Sequence, residues 1–145
     1  MELIIKHFNE LTPSELYEII KLRVDVFVVE QNCPYHELDD KDQNAYHIYY
    51  KDEDGIAAYL RVLGRGVSFS EPALGRIVTA RRGLGLGKAI VEEGKKFIQQ
   101  KFSADKIKIE AQTYAKGFYE KSGFRQCSDE FLEDGIPHIL MICEL

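Results

Sequence analysis

The sequence has 145 residues, the size of one domain, and a chain of this length can bury a hydrophobic core without disulfides. Its 24 acidic and 19 basic residues give a net charge of −5, which argues against sequence-independent nucleic-acid binding because that binding depends on basic surface. No apolar run approaches the roughly 20 residues of a membrane-spanning helix, and residues 1–8 lack the layout of a signal peptide. The three cysteines, an odd number without a CxxC pair, are typical of a reduced, cytoplasmic chain.

The first third of the chain predicts a strand, a helix and a loop. Residues 2–8 are apolar and rich in strand formers. Thr12 and Glu15 have the spacing of a capping box, and Pro13 suits the first helical position, so a helix begins here. Apolar residues at helical spacing continue this helix to about Glu30. Residues 31–44 are polar and irregular, which predicts a loop or a short broken helix.

The remaining two thirds of the chain predict three consecutive strands, followed by helices and further strands. Residues 45–51 and 56–63 predict a hairpin with a turn at 52–55, and residues 73–80 predict a fourth strand. A glycine-rich loop follows, then an amphipathic helix to about Lys101 and an alternating strand at 106–112. A short helix fits 113–121, and closing strands fit 124–127 and 138–143. The order predicts one mixed α/β domain over residues 1–145, built around a single sheet.

The glycine-rich loop, Arg81-Arg82-Gly83-Leu84-Gly85-Leu86-Gly87-Lys88, has the composition of an anion receptor. Alternate glycines let the backbone turn sharply and approach a ligand closely. The helix that follows supplies free N–H groups and a partial positive charge, and the three cations add full charge. This combination favours a pyrophosphate or another anion.

Two common phosphate-binding patterns do not fit this loop. The P-loop pattern GxxxxGK[ST] needs glycine where Arg82 stands and a hydroxyl where Ala89 stands. The dinucleotide pattern GxGxxG meets Lys88 or Ile90 in place of its last glycine. Residues 82–87 do fit [Q/R]xxGx[G/A], and in this they resemble the pyrophosphate loop of the GNAT acyltransferase superfamily.

The resemblance extends over nearly the whole chain. Residues 115–124, AKGFYEKSGF, look like the family's AxxFYxxxGF segment, and residues 26–35 and 133–138 resemble the ElaA branch. The resemblance implies the GNAT acyl-CoA N-acyltransferase fold: a mixed, mostly antiparallel sheet of about six to seven strands, flanked by helices and splayed between the fourth and fifth strands. One departure is Gln112, which stands where the family often has asparagine.

The resemblance also implies an activity: transfer of an acetyl group from acetyl-CoA to an amine, by direct attack in a ternary complex without a metal. Acetyl-CoA would enter as co-substrate, and the amine acceptor is not identified by the sequence. Neither a nucleic acid nor a membrane is expected as partner. The oligomeric state stays open, with a homodimer as one alternative because many members of the family dimerise. The implied cofactor contacts are Ile77, Val78, Thr79, Arg82, Gly83, Leu84, Gly85, Leu86, Gly87, Lys88, Gln112 and Phe118.

The implied chemistry needs an acid, an oxyanion donor and a base. Tyr119 is the predicted catalytic residue, protonating the departing thiolate. A backbone N–H near Val78 is the predicted oxyanion donor. Four residues remain candidates for the base: Glu30, Glu71, Glu110 and His138. The alternative is that the amine loses its proton to bulk water.

The acceptor is expected at the first helix and the loop that follows it. Arg23, Glu30, Tyr35 and His138 are the predicted substrate-binding residues, with His36 and Asp39 as further candidates. The acidic stretch 37–42 either attracts a cationic amine or is a solvated run. Isolated histidines such as His36 and His47 are more typical of surface or packing positions than of catalysis.

Three other functions remain open at this point. The chain could hold CoA without catalysis, or transfer a longer or charged acyl group; its N-terminal region also resembles acyl-homoserine-lactone synthases. A nucleic-acid-binding role rests only on Arg81, Arg82 and Lys88, which one pyrophosphate explains better.

Overall fold

The computed structural model describes all residues from Met1 to Leu145. Eight strands form one sheet, in the order β1-β2-β3-β4-β5-β8-β6, with β7 paired to β8 outside this path. The strands are β1 (Glu2–His7), β2 (Tyr46–Asp52), β3 (Gly55–Leu63), β4 (Ala73–Thr79), β5 (Lys106–Gln112), β6 (Phe124–Gln126), β7 (Phe131–Glu133) and β8 (Ile136–Glu144). Every pair is antiparallel except β4 with β5, which is parallel. The predicted mixed, mostly antiparallel sheet is therefore confirmed.

Three α-helices flank the sheet: α1 (Pro13–Val24), α2 (Leu86–Phe102) and α3 (Lys116–Glu120). The predicted capping box is present, since the Thr12 hydroxyl accepts from the Glu15 N–H and the Glu15 carboxylate accepts from the Thr12 N–H. A π-helical segment, Asp25–Glu30, continues α1 to the predicted end. No α-helix of the chain has the length and apolar character that crossing a bilayer requires.

Alternating side chains along the strands divide most of the interior into two hydrophobic clusters, one on each face, and a third, small cluster consists of Ala45, Leu63 and Ala73. The larger cluster packs α2, through Ile90, Val91 and Ile98, against one face of the sheet. The smaller cluster packs α1, through Ile19, against Tyr49 and Tyr59 on neighbouring strands. The sheet is thus covered on both faces, and the site described below opens within the sheet itself.

The sequence predicted seven strands, and the structure has an eighth, β7. β7 pairs with β8 through a two-residue turn at Asp134 and Gly135, which both have positive φ, 52° and 75°. Asp-Gly is a strong signal for this kind of hairpin turn. The signal was present in the sequence, but the three-residue β7 is too short to show a period of two.

Candidate active site

The site opens where β4 and β5 separate. Their only paired positions are Ala73 and Lys108, and the Lys108 N–H donates to the Pro72 carbonyl at 3.1 Å. Beyond this point the two strands diverge, as predicted for the fourth and fifth strands. Two cavities, of about 510 and 480 Å³, lie along the opening. They meet at four shared lining residues, Ile77, Tyr114, Ala115 and Tyr119.

A bulge in β4 turns backbone groups toward this opening. Val78 pairs with Tyr59 and Gly75 pairs with Arg61, so two residues of β4 face one residue of β3, and neither Arg76 nor Ile77 has a partner there. The Arg76 backbone has φ +53°, which is uncommon for a residue with a side chain.

The hydrogen-bond phase of the β3–β4 ladder identifies which amides are free. The Ala80 N–H donates to the Ala57 carbonyl at 2.8 Å, and alternation along an antiparallel pair then directs the Val78 N–H toward Tyr59. The Val78 amide therefore belongs to the ladder, and the same alternation directs the Thr79 amide toward the opening, while Ile77, in the bulge, has no ladder partner in β3. The prediction of an oxyanion donor near Val78 is narrowed to these neighbours.

The glycine-rich loop lines the smaller cavity, called the cofactor cavity below. Gly83 and Gly85 have φ +81° and +72°, and added Cβ atoms would meet no atom within 4 Å, so glycine serves the backbone conformation here. Gly85 caps α2 without any side-chain hydrogen bond, and the first backbone bond of this turn is Ala89 N–H to the Gly85 carbonyl at 3.2 Å. The preceding amides of α2 are thus available to an anion.

The two arginines of this loop are each paired with a carboxylate. Arg81 donates two hydrogen bonds to Asp52, at 2.5 and 2.7 Å. Arg82 donates two to Glu30, at 2.7 Å each, and both partners of this pair are exposed. Lys88 lines the cofactor cavity and forms no ion pair. The loop therefore offers one free cation and free amides, with a second cation held by an exposed and displaceable partner.

Ten of the twelve predicted cofactor contacts line the cofactor cavity: Ile77, Val78, Thr79, Arg82, Gly83, Gly85, Leu86, Gly87, Lys88 and Phe118. Two do not. Leu84 lies at the tip of the loop, 63% exposed. Gln112 lines the larger cavity, where its amide donates to the Gln31 side-chain oxygen at 3.2 Å.

Tyr119 lies where the two cavities meet. Its ring packs edge-on against Phe118 and Phe124, with centroids 5.0 and 6.0 Å away, and it belongs to the rim of the larger core cluster. No protein group accepts or donates a hydrogen bond at its hydroxyl. Burial raises the pKa of Tyr119 well above its ordinary value, so the hydroxyl keeps its proton at neutral pH.

The larger cavity, called the acceptor cavity below, lies on the side of the loop 31–44. Two of the predicted substrate-binding residues, Tyr35 and His138, line it. Arg23 and Glu30 do not: Arg23 is fully buried, and Glu30 pairs with Arg82 outside this cavity. Fully buried arginines are rare unless their charge is balanced by carboxylates, and that balance is the role observed for Arg23.

Two of the four candidate bases line the acceptor cavity, Glu110 and His138. His138 Nδ1 contacts the Ile136 carbonyl at 2.7 Å, and Nε2, on the other side of the ring, forms no hydrogen bond with the protein. Partial burial, followed by the Glu133 carboxylate, raises the pKa of Glu110, which remains exposed at the surface of the cavity. Glu71, by contrast, bonds to Ser70 outside both cavities.

The acidic stretch 37–42 is neither a solvated run nor free to attract a cationic amine, because Glu37, Asp39 and Asp42 are each paired with arginines. Glu37 accepts from Arg23 and Arg76, and Asp42 accepts from Arg23 and Arg61, all at 2.7–3.3 Å. Asp39 bonds to Arg61 and Arg76. The sequence did not show that three arginines from α1, β3 and β4 converge on this loop, because those partners lie 14 to 39 positions away.

Sequence reasoning also missed Tyr114 and Ala115, which line both cavities, and Arg76. Tyr114 is 81% exposed and belongs to a short 3₁₀ turn, Thr113–Ala115, between β5 and α3. The segment that resembles the family begins at Ala115, and Tyr114 directly precedes it, so this position was the signal that could have identified both residues. His47 is buried and bonds to the Tyr59 hydroxyl at 2.7 Å, in keeping with a packing role.

Comparison with known proteins agrees with this geometry. The model of the acetyltransferase (GNAT) domain family matches residues 13–145. A UPF0039 protein of Schizosaccharomyces pombe is 38% identical over 149 residues, covering 100% of this chain and 98% of that protein. The ElaA protein of Escherichia coli is 34% identical over 143 residues, covering 96% and 94%.

Two crystal structures share the fold at similar identity. That of Escherichia coli ElaA superposes with a TM-score of 0.91 at 33% identity, covering 99% of both chains. That of an acyl-CoA N-acyltransferase from Pseudomonas aeruginosa superposes with a TM-score of 0.92 at 32% identity, also covering 99% of both. The splayed sheet, the glycine-rich loop at the start of α2 and these likenesses together establish that the chain belongs to the GNAT acetyltransferase family, in its ElaA-like branch.

Proposed function

We propose that the chain transfers the acetyl group of acetyl-CoA to an amine, which attacks the thioester directly. The observation that carries this proposal is the meeting of the two cavities at Tyr119, within the opening between β4 and β5. One cavity ends at the glycine-rich loop, whose cations and free amides favour an anion, and the other is lined by carboxylates that favour a cationic amine. A reaction between two bound molecules needs such a junction.

The cofactor cavity suits CoA in shape and charge. Lys88, Arg82 and the free amides at the start of α2 would hold the pyrophosphate. The exposed edge of β4 at Thr79 would pair with the amide groups of the pantetheine arm, which leaves the Ile77 amide for the reacting carbonyl. Bound acetyl-CoA supplies an activated acetyl group, and the residues described next would act on it.

Tyr119 would donate its proton to the departing sulfur. Its raised pKa keeps the proton in place until negative charge develops on the leaving group. The Ile77 amide, unpaired in the bulge, would donate a hydrogen bond to the oxygen on which charge develops. A preorganised donor of this kind is worth about 3 kcal/mol of transition-state stabilisation.

The acceptor cavity supports an amine that arrives with a positive charge. Three carboxylates without an ion-pair partner line it, those of Glu110, Glu133 and Asp134. The raised pKa of Glu110 makes it a better proton acceptor than an ordinary glutamate, so Glu110 would remove the ammonium proton, directly or through water. His138 would stand beside it: the pairing of Gln112 with His138 and of Glu110 with Leu140 makes Glu110 and His138 diagonal neighbours on one face.

The test has two steps. Calorimetry should detect binding of CoA and acetyl-CoA, and thiol release should then be followed with acetyl-CoA and a panel of peptide, polyamine and small-metabolite amines. Turnover with at least one cationic amine is expected. Binding of CoA without turnover on any amine would favour a protein that holds CoA without catalysis. Turnover only with succinyl- or long-chain acyl-CoA would show that the transferred group is not acetyl. Failure to bind CoA at all would refute the proposal.

A further inference from the structure

The β4 bulge carries a conformation that its own sequence does not favour. Arg76 has φ +53°, a region that residues with a Cβ atom seldom occupy, and glycine is not used there although Gly75 is its neighbour. Such conformations persist only where surrounding contacts determine them. The contacts of the Arg76 side chain therefore bear on whether the bulge forms.

Those contacts all go to the loop 31–44. Arg76 Nε donates to Glu37 Oε2 at 2.7 Å, and Arg76 Nη2 donates to the Glu37 carbonyl at 3.0 Å and to Asp39 Oδ2 at 3.3 Å. The guanidinium also lies over the ring of Tyr35, 5.7 Å from its centroid. The side chain is thus held in a single direction by both charge and hydrogen bonds.

Glu37 is in turn fixed from the other side. It is 3% exposed, its Oε2 also accepts from Arg23 Nε at 2.7 Å, and its Oε1 accepts from the Tyr35 hydroxyl. Arg23 belongs to α1 and is itself fully buried. A continuous chain of charged contacts therefore joins α1, through Glu37, to the bulge of β4.

We propose that Glu37 and Arg76 are positioning residues for acetyl transfer: they hold the β4 bulge so that the Ile77 amide faces the reacting carbonyl. This inference rests on the proposed function. Arg76 is adjacent to Ile77, and both occupy the two bulge positions without partners in β3. An ordinary strand conformation at Arg76 would change the direction in which the backbone enters Ile77 and would turn the Ile77 amide away from the opening.

The experiment compares Arg76→Ala, Arg76→Gly and Glu37→Gln with a control, Arg125→Ala, whose guanidinium makes only a 3.4 Å surface contact with Glu144. Three quantities are measured: kcat and KM with an amine from the panel, the Kd of free CoA, and the ¹⁵N–¹H resonance of Ile77 with CoA and with acetyl-CoA. Free CoA lacks the acetyl carbonyl, so a resonance change specific to acetyl-CoA reports the proposed hydrogen bond.

Arg76→Ala and Glu37→Gln should lower kcat at least tenfold, up to the roughly hundred- to thousandfold loss that follows outright removal of an oxyanion donor, while the Kd of free CoA stays within about twofold. The acetyl-specific change at Ile77 should disappear with them. The kcat of Arg76→Gly should fall between those of wild type and Arg76→Ala, because glycine adopts the positive φ without needing the side-chain contacts to Glu37 and Asp39. Arg125→Ala should match wild type.

Several results would overturn the inference. They are an unchanged kcat in folded Arg76→Ala, a wild-type kcat in Arg76→Gly, or an Ile77 resonance that responds equally to CoA and acetyl-CoA. If Arg76→Ala does not fold, Arg76→Gly and Glu37→Gln carry the test. If the wild-type protein acetylates no amine, the proposed function fails, but the Ile77 resonance still decides whether Arg76 positions that amide.

Discussion

Arg82 and Glu30 form a bidentate ion pair, with 2.7 Å between each guanidinium nitrogen and the carboxylate oxygen that it contacts. The hydrogen bonds from Arg82 lower the pKa of Glu30, so the pair is charged across the neutral range. A carboxylate at the end of the π-helical segment that follows α1 is thus ion-paired with a cation of the glycine-rich loop. Any anion that binds Arg82 must compete with Glu30.

Glu30→Gln should therefore strengthen CoA binding. Removing the competing charge frees Arg82 for the pyrophosphate, and because the pair is exposed the gain is modest, about two- to fivefold in Kd at low salt. The gain should shrink as salt is raised. Calorimetry of CoA binding at 20 and 300 mM salt measures both effects, with Glu2→Gln as an exposed control. Weaker binding by Glu30→Gln would mean that Glu30 contributes to the cofactor site.

Gly85→Ala should lose CoA affinity as well as stability. Alanine at φ +72° costs roughly 1–2 kcal/mol, and its relaxation would move the free amides that begin α2. The matched control is Gly66→Ala, with φ +82° and equally open space but no place in either cavity. Both variants should unfold at similarly lower denaturant concentrations, and only Gly85→Ala should raise the Kd of CoA tenfold or more. If Gly85→Ala and Gly66→Ala bind CoA with equal affinity, Gly85 does not contribute to the CoA site.

Local sequence signals predicted most of this fold. The Thr12–Glu15 capping box, the glycine-rich loop before α2 and the alternation of Ile107, Ile109 and Ala111 each act over a few residues, so each was readable. The Arg76 bulge and the ion network at Glu37 depend instead on side chains brought together from distant positions. Periodicity carries no information about such contacts, and so Arg23 was expected at the substrate when it balances buried carboxylates.

Tyr119→Phe should lower kcat by about two orders of magnitude while leaving the Kd of CoA nearly unchanged. The loss is that of a general acid, and phenylalanine keeps the packing against Phe118 and Phe124. The control is Tyr46→Phe, a half-buried tyrosine that borders the same core cluster but lines neither cavity. Steady-state thiol release with a good amine measures both. An unaltered kcat in folded Tyr119→Phe would remove Tyr119 from the mechanism.

Glu110 should set the acidic limb of the pH profile. Desolvation and the Glu133 carboxylate raise the pKa of Glu110 above the ordinary value of 4.5. A base acts when deprotonated, so kcat/KM should rise as pH increases through this raised pKa. Glu110→Gln should lower kcat/KM about a hundredfold and abolish that limb, and Glu133→Gln should keep the limb but shift it to lower pH. A limb that persists unchanged in Glu110→Gln would assign it to another group, His138 first.

Asp39 should make folding stability depend on acid pH. Burial acts to raise the pKa of Asp39, but hydrogen bonds and charge from Arg61, with further charge from Arg76, prevail and lower it from 3.8 to about 2. A group with a depressed folded-state pKa stabilises the fold above its unfolded pKa, and this contribution is lost as pH falls through the folded value. This contribution of Asp39 to the free energy of unfolding is about 2 kcal/mol.

The difference in unfolding free energy between wild type and Asp39→Asn should therefore be largest above pH 5 and should narrow by about 2 kcal/mol toward pH 2. Urea denaturation at each pH measures this difference. Asp40→Asn is the matched control, since Asp40 is the next residue, is exposed and forms no ion pair, and asparagine tolerates its φ of +63°. A difference for Asp39→Asn that stays constant from pH 6 to pH 2 would mean that the Arg61 and Arg76 contacts do not hold Asp39 ionised.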